Sequence, residues 1–317
     1  MKRPFVLGAL TLVGAMTVAA TVIGQQPAAQ GRAGGEGRQG GARGGFTFPP
    51  VGKIEKVTGN LYWLQGQGGN TAVYVAASGV VIVDTKLADN GQAILDQVKT
   101  VTDKPITHII NTHTHGDHTG SNQFFPATVE IVTQENTAAN MSKMDVFKDP
   151  ANKNGLPDRT FKDKLTVLSG SDAIDLYYYG PAHTNGDAFV VFRNARVMHS
   201  GDAFATKGLP LIDRNNGGSG VAYGETIAKA SRGIKNIDTV ITGHTNTLLK
   251  WQDFVDYGEF NRLYLTAARD ALKKGQTPEQ AAMEFKLPEK FKDYTITGGR
   301  GGPGGNFGII FEELGKR

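Results

Sequence analysis

The chain contains no cysteine among its 317 residues. Disulfides, a lipid-modified cysteine anchor, thiolate metal ligands and a cysteine nucleophile are therefore excluded together. Charge of one sign is also missing from most of its length. The formal net charge is +4, but Lys2, Arg3, Arg32, Arg38 and Arg43 against Glu36 carry all of that excess before residue 46. The rest is near neutral, which argues against a phosphate-tracking nucleic-acid surface. No tandem repeat is visible. Long apolar runs are absent except for one, Val6 to Gly24.

That run follows the basic stretch Met1-Lys2-Arg3 and carries small residues near its end. It reads as a secretory signal peptide over residues 1–24, and a retained membrane anchor is the weaker alternative. Cleavage after Ala20 or after Gly24 satisfies the small-residue rule. Residues 25–45, rich in Gly, Gln and Arg, read as a flexible linker. Three arginines without interleaved aromatics make a weak RNA-binding segment. A periplasmic or secreted protein is expected, with no stable membrane anchor once the signal is removed. Nothing in the pattern speaks to oligomeric state.

From Phe46 to residue 317 the composition is that of a packed domain. Strands are expected at Ile54–Val57, Leu61–Gln65, Thr71–Ala76, Gly79–Asp84, Ile106–Asn111 and Val129–Val132. The β-branched run Val80–Val83 has the character of a strand buried on both faces. A second group is expected at Lys164–Leu168, Ala173–Tyr179, Ala188–Arg193, Arg196–Ser200 and Thr239–Thr242. Helices are expected at Asn90–Thr100, Thr119–Phe125, Glu135–Lys143, Tyr223–Lys235, Phe254–Lys274 and Phe307–Leu314. A further one opens at Thr277-Pro278-Glu279, with Thr as cap and Pro in the first turn. Residues 148–162, 203–220 and 298–305 read as loops. Two β-then-α halves suggest two mixed sheets packed face to face with helices outside.

The chemistry concentrates in Asn111–Gly120, where His113, His115, Asp117 and His118 fall within six residues. Imidazole and carboxylate suit zinc and similar divalent ions. In an extended segment positions 113 and 115 project to one side, and Gly116 lets the chain turn before Asp117 and His118. Three more candidates follow apolar strands: His183 in Gly180–Asp187, Asp202 in His199–Phe204, and His244 in Ile241–Thr245. Loops at one edge of a sheet scaffold can assemble such a site. His108 and His199, inside strands, read as core or supporting residues. Asp84 is equally a partner of a ligand histidine or a turn residue. Asp187 has the same ambiguity, and Tyr177–Tyr179 read mostly as packing. Lys207, Asp213 and Arg214 are expected to be solvated.

The set H-x-H-x-D-H, then a distant His, then Gly-Asp, then Gly-His, resembles the metallo-β-lactamase superfamily over roughly residues 50–250. The resemblance implies an α/β fold, the αββα sandwich of two mixed sheets, with the site at one sheet edge. It implies two divalent metal ions, zinc being the first expectation. His113, His115 and His183 would hold one, Asp117, His118 and His244 the other, and Asp202 would bridge them. The activity implied is hydrolysis of a small ester, lactone or amide by a hydroxide held between the metals, with Asp117 orienting it. Asp202 stands where the dedicated β-lactamases usually carry Cys or Ser, so β-lactam hydrolysis is the alternative. A metal-loaded accessory protein of a periplasmic redox system is the non-catalytic one. Many relatives read Gly-His-Gly where this chain has Gly243-His244-Thr245. The partner is a small molecule, and no nucleic acid is expected.

Overall fold

Val80–Val83 is fully buried, as an unbroken β-branched run requires when both faces of a sheet are covered. In the computed structural model, which describes residues 48–296 and 304–315, this strand is β4 of a seven-stranded sheet. Its order is sequential: β1 (Glu55–Thr58), β2 (Leu61–Leu64), β3 (Thr71–Val75), β4, β5 (Ile106–Ile110), β6 (Glu130–Gln134) and β7 (Arg159–Phe161). Pairing is antiparallel up to β4 and parallel from β4 to β7.

The second sheet has six strands, also in sequential order: β8 (Lys164–Val167), β9 (Ile174–Tyr177), β10 (Phe189–Phe192), β11 (Val197–His199), β12 (Thr239–Ile241) and β13 (Leu249–Lys250). Only β11 and β12 run parallel. Alternate residues of both sheets, such as Leu61, Trp63, Val81, Val83 and Ile110 against Leu176, Val190, Phe192 and Ile241, form the central core.

Each outer face is covered by helices. Ile94 and Val98 of α1 (Gly91–Lys99) pack on Val80, Ile82 and Ile109. Full burial of such side chains stabilises by about 1.5–3 kcal/mol each. A short α2 (Gly116–Thr119) and α3 (Glu135–Met141) follow on this half. On the other, α4 (Tyr223–Gly233) and α5 (Trp251–Lys273) bring Ile227, Ala230, Phe254 and Phe260 onto Phe189, Val191, Met198 and Val240. This is the expected four-layer αββα arrangement. α6 (Pro278–Glu284) carries the expected Thr277 cap, completed into a reciprocal box by Gln280. α7 (Asn306–Gly315) closes over α5 and α6 through Phe307 and Ile310.

Three expectations need correction. The helix expected from Thr119 begins at Gly116, so Asp117 and His118 lie on a helical turn, with a separate 3-10 turn at Asn122–Phe124. The amides of His118 and Thr119 both bond to the carbonyl of His115, which starts the turn early. The loop expected over 148–162 holds a 3-10 helix at Pro150–Gly155 and β7. There Asp149 accepts from the Ala151 amide, while Asp158 binds Ile131 through both backbone and carboxylate. β13 was not anticipated, since two residues carry no period. The signal-peptide and linker readings of 1–24 and 25–45 lie outside the described residues, as does most of the 298–305 loop. Among the described residues no helix is long and apolar enough to cross a membrane.

Candidate metal centre

All seven candidate residues follow the carboxyl ends of strands. His113 and His115 come directly after β5, and Asp117 and His118 sit on α2. His183 lies beyond β9, Asp202 in the 3-10 turn Gly201–Phe204 after β11, and His244 after β12. The structure brings them together as two groups: His113, His115, His183 and Asp202, and Asp117, His118 and His244. Within each group the donor atoms all lie within 4.8 Å of one another.

The geometry is that of donors facing a common point. His115 Nδ1 is 3.0 Å from His183 Nε2, and His118 Nε2 is 3.4 Å from His244 Nε2. Asp202 stands between the groups, with Oδ1 3.3 Å from His118 Nε2 and Oδ2 3.3 Å from His244 Nε2 and 3.7 Å from His183 Nε2. Asp117 Oδ2 is 3.3 Å from His244 Nε2. His113 Nε2 is buried with no hydrogen-bond partner among the described residues. A buried ring nitrogen without a partner is costly, and facing lone pairs at 3.0 Å repel. A divalent cation relieves both, so the donor set fits one.

Four histidines have their outer nitrogen occupied, which leaves the other nitrogen aimed inward. His118 Nδ1 meets Asp84 Oδ2 at 2.6 Å, and Asp84 is itself held by the Thr112 amide and hydroxyl. Asp84 therefore orients His118 and is not a simple turn residue. His113 Nδ1 contacts the Thr112 hydroxyl at 3.0 Å, and His183 Nδ1 contacts the Leu211 carbonyl at 2.7 Å. His115 Nε2 meets Asp213 Oδ2 at 2.6 Å.

Asp213 corrects the expectation that it is solvated. Its carboxylate also accepts from the amides of Asn215 and Asn216 and from the Asn216 side chain. The hydrogen bond from His115 leads the contacts that hold its carboxyl well below the usual range. The pattern Pro210-x-x-Asp213 was its only sequence signal. Lys207 and Arg214 are half-buried and paired, not free in solvent: Lys207 meets Asp253, and Arg214 meets Glu312 and the Ile309 carbonyl. His199 is a supporting residue, with Nε2 on the Asn70 carbonyl and Nδ1 accepting from the Gly201 amide. His108 pairs with Glu130 away from the site. Asp187 holds its own turn through Thr184, and the Tyr178 hydroxyl donates to the Asn185 carbonyl.

Without a metal, His113 and the pair of His118 and His244 are pushed in opposite directions. Burial pushes His113 well below its ordinary value, helped by the other histidines. Burial also opposes charge on His118, but Asp202, Asp117 and Asp84 outweigh it and raise that histidine well above 6.5. His244 behaves alike, brought to about 9 chiefly by Asp202 and Asp117 against burial. Asp117 is lowered to about 2, because His118 and His244 overcome its burial. Asp202 is held well below the usual range against its own burial, by His244 and His118.

Two features escaped the sequence reading. Asn70 bonds the Gly243 carbonyl through its amide, and the Thr242 and Thr245 carbonyls through its side chain, so it frames the His244 loop. Lys86 is wholly buried and donates to the carbonyls of Leu64 and Gly69. Burial brings its amine down to about 7, partly offset by Asp84 and Asp117. A lysine in a polar turn gives no sign of this in sequence.

Known proteins agree with this architecture. The sec-alkylsulfatase Pisa1 from Pseudomonas sp. superposes with a TM-score of 0.70 at 15% identity, over 82% of this chain and 50% of that one. The DIM-1 metallo-beta-lactamase superposes with a TM-score of 0.54 at 18% identity, over 67% of this chain and 99% of the other. In sequence the chain is 28% identical over 170 residues to the alpha subunit of 2,4-dinitroanisole O-demethylase from Nocardioides sp. (strain JS1661), covering 51% of this chain and 49% of that protein. It is 29% identical over 139 residues to YobT of Bacillus subtilis (strain 168), covering 41% of this chain and 59% of that protein. The chain thus spans only about half to three-fifths of the length of these curated relatives. The model of the metallo-beta-lactamase superfamily matches residues 64–249, the stretch that carries all seven candidate ligands, and the chain belongs to that superfamily.

Proposed function

We propose that this is an exported, metal-dependent hydrolase that attacks the carbonyl of a small ester, lactone or amide. One observation carries the reading. Seven donors from four separate loops converge in two groups that share Asp202, beside a buried histidine nitrogen without a partner. Two divalent ions, zinc first, match the donor chemistry: His113, His115 and His183 for one, Asp117, His118 and His244 for the other, with Asp202 between them. When bound, such ions supply Lewis-acid polarisation and lower the pKa of water.

The chain's own residues do the rest. Asp84, Thr112, Asp213 and the Leu211 carbonyl fix four imidazoles before substrate arrives, so no reorganisation is needed during reaction. Asp117 is the most solvent-accessible carboxylate of the set, 22% exposed against 8% for Asp202. It is ionised at neutral pH, so its oxygen can accept a hydrogen bond from a water O–H and orient it. No serine or cysteine nucleophile is required.

Three of the named relatives are, by their names, a sec-alkylsulfatase, a 2,4-dinitroanisole O-demethylase subunit and a metallo-beta-lactamase, and these define the competing substrates for a test. The assay is a turnover panel of lactones, thioesters, carboxylic esters, amides, a sulfate ester, an aryl methyl ether and a β-lactam, with Asp117→Ala alongside. Turnover of a carbonyl substrate that falls at least ~100-fold in the variant is expected. Preference for a β-lactam or the sulfate ester would replace the proposed substrate class. No turnover of any of these, with any residual rate unchanged in Asp117→Ala, would leave the accessory-protein reading instead. Export rests on residues 1–24 and is tested by N-terminal sequencing of protein recovered outside the cytoplasm.

A further inference from the structure

Lys86 is a poor choice for stability alone. Its side chain is among the largest that are fully buried, and its amine is met by two carbonyl oxygens, not by a carboxylate. Burying a cationic group on neutral acceptors is costly. Its backbone is left-handed as well, φ 64°, two residues after Asp84 at φ 63°. Non-glycine residues held there cost about 1–3 kcal/mol each and persist only where the surroundings impose them.

What imposes them is a closed ring of hydrogen bonds around the Asp117–His118 turn. The Thr85 amide donates to the His118 carbonyl at 2.7 Å, and the Gly120 amide donates to the Lys86 carbonyl at 2.9 Å. The Leu87 amide donates to Gln67 at 3.0 Å. Lys86 Nζ then reaches Leu64 O at 3.1 Å and Gly69 O at 2.9 Å. Gly69 completes the ring, because its amide donates to the Asp117 carbonyl at 2.9 Å. It also lies flat against a ligand: a Cβ there would be 2.1 Å from His118 Cε1. The next residue, Asn70, holds the loop of His244. So the loop 64–70 touches or braces all three members of one donor group, and Lys86 is the side chain that pins it from below.

We propose that Lys86 is a positioning residue for the Asp117–His118–His244 half of the centre, acting through the Gly69 carbonyl. The inference rests on the reading of the seven donors as a metal centre. It assigns the lysine to one half-set and not to the fold at large.

The test uses Lys86→Met and Lys86→Gln in the full chain, loaded with Co2+ and followed by its visible spectrum and by chelator competition. His183→Ala and His244→Ala serve as markers of the two halves. The expected result is a loss of affinity of about 10-fold, at the low end of what losing a ligand's direct partner costs, confined to one binding event. The spectral change should match His244→Ala and not His183→Ala. The absence of cysteine provides a rescue. Lys86→Cys, alkylated with bromoethylamine while unfolded and then refolded, regains a primary amine of the same reach, and the lost binding event should return. Equal weakening of both events, no weakening, or no recovery with the restored amine would overturn the assignment, as would failure of both Lys86→Met and Lys86→Gln to fold. A wild-type chain that binds no Co2+ would instead overturn the metal-centre reading on which the proposal stands.

Discussion

Metal loading of the two halves should respond differently to pH. In the metal-free chain His113 is neutral at pH 7, pushed down by burial. His118 lies well above 6.5 and His244 at about 9, both held up by Asp202 and Asp117 against burial. A cation entering the Asp117–His118–His244 group must therefore expel the protons of both rings. Each displaced proton changes apparent affinity about tenfold per pH unit below its pKa. His244 alone predicts about 50-fold tighter binding at pH 9 than at pH 7, and His118 steepens the slope. His113 adds no such slope to the other group. Calorimetric titration in buffers of different ionisation enthalpy counts the protons. One event should release at least about one proton at pH 7, and His244→Ala should lower that release by about one proton. Equal proton release by both events, or an affinity flat from pH 7 to 9, would refute the reasoning.

The same shift governs stability. The folded-state value of His244 lies above its unfolded value of 6.5. Its contribution is therefore complete below pH 6.5 and is lost as pH rises through about 9. At about 1.4 kcal/mol per pH unit, the difference comes to roughly 3 kcal/mol. The depressed carboxyl of Asp117 belongs to the same contact: its share is present above 3.8 and is lost as pH falls through about 2. The two describe one interaction and count once. Metal-free protein should thus lose Tm between pH 6.5 and 9, whereas metal-loaded protein should not.

Other perturbations follow from the geometry. Chelation should lower Tm at pH 7.5, by about 4 kcal/mol of stability if the free metal had been a thousandfold above its Kd; a chelator that leaves Tm unchanged would count against resident metal. Asp213→Asn should cost 10- to 100-fold in metal affinity or kcat/KM, with little change in the urea midpoint, because the His115 contact loses its charge while the loop keeps its shape. Gly69→Ala should destabilise by about 1–3 kcal/mol and cut metal stoichiometry, since the added Cβ meets the His118 ring at 2.1 Å. Arg193→Met removes the bidentate pair with Asp175, whose arginine is 49% exposed. It leaves the buried Asp175 carboxylate, 5% exposed, with only Thr166 and Tyr177 as hydrogen-bond partners among the described residues, so it should cost about 1–3 kcal/mol and leave activity unaltered.

The candidate ligands were legible because each is a metal-binding residue type placed within a few residues of an apolar strand or of another candidate. Strands such as Val80–Val83 were legible because a local β-branched run decides them. What escaped depends on contacts across long stretches of chain. Asp213 acquires its role from His115, 98 residues away. Lys86 follows a strand in a polar turn, and only the fold shows that its amine lies under Gly69. β7 exists because Asp158 ties the chain to Ile131, not because Arg159–Phe161 has a pattern of its own. The start of α2 at Gly116 was misplaced for a related reason. His115 serves as both candidate ligand and N-cap, and its extended backbone gives the local sequence no capping side chain to reveal the turn.

Strand direction explains why so few residues suffice. β4 and β5 run parallel, with Val83 opposite Ile110, so Asp84 and the His113 loop emerge at the same edge of the first sheet. β11 and β12 run parallel, with His199 opposite Ile241, so Asp202 and His244 emerge side by side from the second. β9 is antiparallel to β10, which is antiparallel to β11. β9 therefore shares the direction of β11, and His183 leaves at the same end. Were β11 and β12 antiparallel, Asp202 and His244 would leave opposite edges, a strand length apart, and Asp202 could not stand between the two groups. Asn70 then joins the two sheets across this edge, with its amide on Gly243 and its carbonyl on His199. The parallel pairs bring the donors to one place, and the loop from Leu64 to Asn70, pinned by Lys86, holds the second group at working distance from the first.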